Sequence, residues 1–540
     1  MTKRKLFTVF AALAMVLLGL SPTANAQDTA ATYRPVRSCA DLVRDYDIAG
    51  AKTHVQTATV VPAGAEPEHC DVRGYVEPAV RFQLKLPTTS YQGRYLQFGC
   101  GGFCGFLNSP PFADCGPNAG NAAVADTDDG HEDAGFGGTW AVDNQAARDD
   151  YFFRAPHVLS KASKRIIAAF YGAPPKHSYF NGCSNGGREA LLLAQRYPDD
   201  FDGVIAAAPA NYYTPLLAYQ AWLAKSNADA SGAPILTADK LPVLHNAVVA
   251  ACDQRDGLTD GQLDDPRTCK FDPVALRCEG ADQPDCLTAA QVEATRKLYA
   301  GPTDDQGHRL YPGNQTYGSE LSWYAWVTPS PEAGAPIAAQ LADNYLKYIG
   351  YPIGTPHSSL AEFQFTVRDL NRLTAEGRKA NAMSLDLREF QRSGGKLVIW
   401  HGWSDQAIPA EGTLDYYQRL TERSGGLQAT QKWARLFMIP SVYHCQGGST
   451  LTDFDPFREL IGWVERGTAP EKVIAQGKDE QGTVVRTRPV FPYPLTAKYD
   501  GTGSPDDASN FVPAKPQSPP RDKITWAGTY LHNIPGPVAP

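Results

Sequence analysis

The chain has 540 residues and a formal net charge of −8, with Lys and Arg scattered rather than clustered. That balance argues against nucleic acid or an anionic membrane surface as the natural partner. The length exceeds what one hydrophobic core usually carries, so a large domain with a substantial insertion is expected.

At the amino end, Lys3, Arg4 and Lys5 precede an apolar run from Leu6 to Leu20, and Ala24-Asn25-Ala26 supplies a small-x-small cleavage pattern. Residues 1–26 therefore read as a signal peptide, and the mature chain as secreted or periplasmic. No later segment approaches the ~20 apolar residues of a spanning helix. The 11 cysteines are expected mostly in disulfides in an exported chain. Zinc-ribbon spacing is missing, and the odd total leaves at least one cysteine without an intramolecular partner.

Arg81–Leu86 alternates polar and apolar residues before Pro87, and Arg94–Phe98 is a second predicted strand running into the glycine-rich loop Gly99–Gly105. Residues 154–171 have a helical pattern, and Ser178-Tyr179-Phe180 is a short strand after a Pro-Pro break. Further strands are predicted at Gly203–Ala207, Lys396–Trp400 and Arg435–Ile439. Strands alternating with helices indicate an α/β sheet. Between residues 212 and 393 the rhythm breaks down, and this stretch reads as an inserted lid domain. The catalytic domain then comprises residues 27–211 and 394–540, with an irregular tail after Phe491.

Gly182-Cys183-Ser184-Asn185-Gly186 fits the G-x-S-x-G nucleophile elbow, with a strand before it and a helix-forming run after it. The bland alternative is an ordinary glycine-rich turn. A serine needs a base to take its proton, and in this fold class the acid and then the histidine follow the serine in the chain. Asp405 lies just past the Lys396–Trp400 strand, and His444 follows Arg435–Ile439 in a loop. His401 competes with His444, but one residue past a strand it suits a structural hydrogen bond better. Cys183 precedes the serine and Cys445 follows His444, so a Cys183–Cys445 disulfide would hold nucleophile and base in register. Cys183 as a thiol nucleophile is the less favoured alternative. The oxyanion of acyl transfer needs two backbone N–H donors, expected from Asn185 and from Gly101 or Gly102.

In the insertion, Cys252–Asp265 alternates acidic residues with glycines. Such a loop can wrap a hard cation or can simply be solvated, and it lacks the terminal glutamate of an EF-hand.

Together Cys183-Ser184, Asp405 and His444-Cys445 resemble the tannase and feruloyl esterase family, which includes mono(2-hydroxyethyl) terephthalate hydrolases. The resemblance runs from the Cys39 region through Thr502. It implies an α/β-hydrolase fold with a large lid and a triad of Ser184, His444 and Asp405. It also implies a structural Ca2+ held by Asp253, Asp256 and Asp260 with the carbonyls of Leu258 and Gln262. Disulfides Cys252–Cys269 and Cys278–Cys286 map onto the family's lid bridges and Cys39–Cys70 is the expected amino-terminal bridge, whereas the frequent C-terminal bridge has no cysteines here. In the unmapped cluster of Cys100, Cys104 and Cys115 the simplest pairing is Cys104–Cys115. The expected substrate is a small aromatic ester, first a feruloyl or other hydroxycinnamoyl ester borne by plant polysaccharide or polyphenol. Galloyl and terephthalate esters are the runners-up. A secreted phenolic- or carbohydrate-binding protein with a dead hydrolase fold is the non-enzymatic alternative, and a general lipase the other.

Overall fold

A ten-stranded sheet organises the chain, in the order β1-β2-β3-β4-β6-β5-β7-β8-β9-β10. The strands are β1 (Asp45–Tyr46), β2 (Thr53–Val61), β3 (His69–Val76), β4 (Val80–Pro87), β5 (Arg94–Phe98), β6 (Ala122–Thr127), β7 (His177–Cys183), β8 (Gly203–Ala207), β9 (Lys396–Gly402) and β10 (Ala434–Ile439). From β6 to β10 every pairing is parallel, and from β1 to β4 and on to β6 every pairing is antiparallel. The computed structural model describes residues 31–112, 121–516 and 521–539. The expected signal peptide and Cys115 lie outside them.

The parallel strands are apolar throughout because both faces are covered. Along β8, Val204 and Ala206 join one core while Ile205 and Ala207 join the other. The same alternation separates Leu397 and Ile399 from Val398 and Trp400 along β9. Helices Ala155–Tyr171, Asn185–Arg196 and Ala410–Arg423 cover the first face, and helix Phe457–Arg466 covers the second. Helices on both faces of a largely parallel sheet make this an α/β-hydrolase architecture.

Residues 208–395 separate β8 from β9 and hold five helices of eight residues or more, among them Tyr213–Ser226 and Ile337–Asn344. They pack within the same compact unit, Thr32–Pro540, as the sheet. The tail is more regular than the sequence pattern indicates. Hairpin Val473–Lys478/Val484–Val490 and the pair Thr496–Tyr499/Phe511–Ala514 form two small antiparallel sheets.

Five disulfides join Cys39–Cys70, Cys100–Cys104, Cys183–Cys445, Cys252–Cys269 and Cys278–Cys286. The expected Cys104–Cys115 pairing is thus corrected, because Cys104 is joined to Cys100. The Cys104 N–H donates to the Gly101 carbonyl at 2.9 Å, closing a turn. That turn sets the two Cα atoms 5.5 Å apart, within bridging range.

Candidate active site

Ser184 stands at the sharp turn from β7 into helix Asn185–Arg196, with φ 64° and ψ −122°. A non-glycine residue held there stores on the order of 1–3 kcal/mol, which the surrounding packing must over-determine. Glycines make the packing possible. A Cβ on Gly182 would lie 2.4 Å from the Gly186 backbone, and one on Gly99 would lie 2.5 Å from Gly186 Cα. Helix, elbow strand and glycine loop therefore meet at near backbone contact.

Asp405 sits in the turn after β9, fully buried. Its Oδ1 accepts the N–H groups of Ala407 and Ile408, each at 2.8 Å. Its Oδ2 faces His444 Nδ1 at 2.8 Å and His401 Nε2 at 3.1 Å. Burial alone would raise this carboxyl, but the two histidines hold it well below the ordinary carboxylate value. With Nδ1–H of His444 engaged by Asp405, its Nε2 is the free, proton-accepting nitrogen. His401 is wholly buried, with Nε2 also 2.9 Å from the Ile408 carbonyl and Nδ1 2.8 Å from Thr413 Oγ1. It supports Asp405 from behind and does not line the cavity.

Ser184, Asn185, Gly101, Gly102 and His444 all line one cavity of about 630 Å³. Asn185 is the first residue of its helix, so its N–H has no intrahelical acceptor. The Gly101 and Gly102 carbonyls are turned back into the protein, toward Cys104 N–H (2.9 Å) and Tyr151 Oη (3.2 Å). Phe103, Phe136, Leu216, Leu217, Trp326 and Leu341 give the cavity an apolar wall. None of the described lining residues is Lys, Arg, Asp or Glu. Trp326 packs at 5.8 Å from the His444 ring, and its Nε1–H donates to Gln220 Oε1 at 2.9 Å.

Sequence reasoning missed two features. Gln220 braces Trp326, and its Nε2 is spent on the Ala407 carbonyl at 2.7 Å. Asp129 and Glu189 form a buried carboxyl pair behind the glycine loop. Glu189 was legible as the i+4 neighbour of Asn185 on one helix face, whereas nothing local in the sequence brings Asp129 to it.

The acidic loop has the oxygen-only donors a hard cation prefers. Asp253 is buried and accepts the N–H groups of Asp260 (3.3 Å) and Gly261 (2.9 Å). Asp256 accepts those of Leu258 (3.1 Å) and Asp264 (3.2 Å). Asp260 pairs with Arg488 at 2.6 Å, and Gln262 reaches Thr450 at 2.7 Å through its side chain, leaving its carbonyl for a ligand role. The donor chemistry fits calcium, with Arg488 as competitor for Asp260.

A profile of the tannase and feruloyl esterase family matches residues 65–514. The chain belongs to this family. It is 32% identical to the mono(2-hydroxyethyl) terephthalate hydrolase of Piscinibacter sakaiensis, over 84% of this chain and 86% of that one. An uncharacterized esterase of Xanthomonas campestris pv. campestris is 31% identical over 88% and 91% of the two chains. Feruloyl esterase B from Aspergillus oryzae superposes with a TM-score of 0.76 at 27% identity, covering 87% of this chain and 98% of that one. As a member of the family the chain is a carboxylic ester hydrolase with the α/β-hydrolase fold.

Proposed function

We propose that the protein hydrolyses uncharged aromatic carboxylic esters, hydroxycinnamoyl esters of the feruloyl type first, through Ser184, His444 and Asp405. The observation that carries the reading is the shared cavity. A serine in the elbow conformation and a histidine backed by a buried aspartate open onto one apolar slot.

His444 Nε2 takes the Ser184 proton as Oγ attacks the ester carbonyl, and Asp405 stabilises the imidazolium that forms. The oxyanion develops against the Asn185 N–H and that of Gly101 or Gly102. His444 then returns the proton to the leaving alcohol, and water releases the acid by the same steps in reverse.

The walls select the acyl group. A free carboxylate, as on a terephthalate monoester, would meet no cation among the described lining residues, and an unpaired charge in an apolar slot is costly. A galloyl ring needs several polar partners, while Gln220 and Tyr213 are already engaged, leaving Asn108 and Gln446 among the polar lining side chains. A ring with few hydroxyls fits best. Export follows from the amino-terminal pattern and the disulfides, and among the described residues no helix is long and apolar enough to cross a membrane. The acidic loop would hold a structural calcium through Asp253, Asp256 and Asp260 with the Leu258 and Gln262 carbonyls, outside the chemistry.

The test compares methyl ferulate, methyl gallate and mono(2-hydroxyethyl) terephthalate with wild type and Ser184→Ala. Methyl ferulate should be the best substrate, with a loss of at least about 10³-fold in kcat in the variant. Terephthalate monoester turned over fastest would overturn the acyl assignment. Inert wild type that also fails to react with a fluorophosphonate would favour a binding role.

A further inference from the structure

Behind the glycine loop lies a buried group of side chains that the reaction itself does not use. Cys100, Cys104, Asp129 and Glu189 are each at most 5% exposed, and their sulfur and carboxylate atoms lie within 4.8 Å of one another. Asn185 reaches into the same group. Its Nδ2–H donates to Glu189 Oε1 at 2.7 Å and lies 3.2 Å from Cys104 Sγ, while its Oδ1 accepts from Arg188 Nε at 2.7 Å. Glu189 Oε1 also lies 3.1 Å from Cys100 Sγ.

The geometry places this cluster between the two halves of the oxyanion hole. One half is the loop containing Gly101 and Gly102, whose ends are joined by the Cys100–Cys104 bridge. The other half is Asn185, at the start of the helix that carries Glu189 four residues on. The loop bends sharply, with φ 59° at Gly102, 62° at Cys104 and 96° at Gly105, a shape that an open chain would readily leave.

We propose that the Cys100–Cys104 bridge and the Asn185–Glu189 hydrogen bond are positioning elements that fix the two oxyanion donors relative to each other. The inference rests on the esterase reading of Ser184 and its cavity. The bridge restricts the loop's conformational freedom, and Glu189 Oε1 holds Asn185 through its Nδ2–H while packing against the bridge at Cys100 Sγ. The donors are thereby set before substrate arrives, which is the condition for stabilising charge that exists only in the transition state.

The test uses the full-length oxidised protein and the variants Cys100→Ala/Cys104→Ala, Glu189→Gln and Glu189→Leu, each checked for folding by near-UV circular dichroism. The double variant and Glu189→Leu should lose at least about tenfold in kcat on a methyl aryl ester, since deleting an oxyanion donor outright costs ~10²–10³. KM should stay within about twofold, because the acyl walls are untouched. Fluorophosphonate labelling of Ser184 should slow in parallel, as its phosphoryl oxygen occupies the same hole. Glu189→Gln, which keeps an acceptor for Asn185 Nδ2–H, should recover most of the rate. A folded double variant with wild-type kcat and labelling rate overturns the inference while leaving the esterase reading intact. Two titratable thiols and one equivalent of bound zinc at this cluster in purified wild type also overturn it, because the sulfurs would then be ligands. Wild type inert toward ester and probe defeats the esterase reading and this inference with it.

Discussion

Asp405 carries more of the site than its place in a turn indicates. Two backbone amides and two histidines converge on it, so its charge is held by four donors at 2.8–3.1 Å. Asp405→Asn should cost about 10⁴-fold in kcat through the wrong histidine tautomer, with KM little changed. Its folded-state pKa lies below the ordinary carboxylate value of 3.8, so the stability it contributes is present above that pH and lost as pH falls further. The Tm gap between wild type and Asp405→Asn should accordingly narrow below about pH 4. Glu189 has the opposite sign. Burial first of all pushes it up to about 7 from 4.5, so its contribution is full below 4.5 and lost as pH rises toward 7. Thermal melts of Glu189→Gln should therefore lose less stability than wild type between pH 5 and 8. Of these residues, Ser184, Asp405 and His444 were legible because their signals are local: an elbow, a loop after a strand, a required order. The Asp129–Glu189 pair was not, since Asp129 lies in the loop after β6 and meets the helix carrying Glu189 only in the folded chain.

At the level of elements, strand patterns were legible where the run was apolar and bounded. Gly203–Ala207 and Arg94–Phe98 have the same limits in sequence and structure, and helix Ala155–Tyr171 begins one residue inside the pattern. β6 went unread because Ala122–Thr127 is alanine-rich and wholly buried, with no alternation and only Val124 and Thr127 β-branched to mark it. The long strands β2 and β3 lie on the antiparallel side, away from the chemistry. The Cys183–Cys445 bridge connects two elements 262 residues apart in sequence, the elbow and the histidine loop. Cys183→Ala/Cys445→Ala should lose at least about tenfold in kcat, because a 1 Å misplacement of a catalytic group can cost ~10²-fold. It should also lose about 2–4 kcal/mol of stability, read by denaturant unfolding.

Over the whole molecule, chemistry and selectivity come from different parts of the chain. Ser184, Asp405 and His444 follow strands of the sheet, whereas Tyr213, Leu216, Trp326 and Leu341 of the cavity wall lie between β8 and β9. That segment was legible as an insertion by its break in rhythm, but its wall residues were not, because irregular turns and short helices have no period to follow. The proposed calcium loop belongs at this scale too. Chelation should lower Tm by several degrees and calcium should restore it, while Asp256→Ala should abolish the response. Because Asp260 is shared with Arg488, the effect should reach the tail sheets that carry Arg488, seen as faster proteolysis of residues 473–514 without calcium.

The bridge between Cys183 and Cys445 has a consequence for when the enzyme comes alive. A freshly synthesised chain carries a nucleophile and a base that nothing covalent yet holds together. Oxidation, once the histidine loop has found the elbow, would raise the rate by holding the two in register. The same cystine that aligns the site also works as a clock set by the redox state of the surroundings.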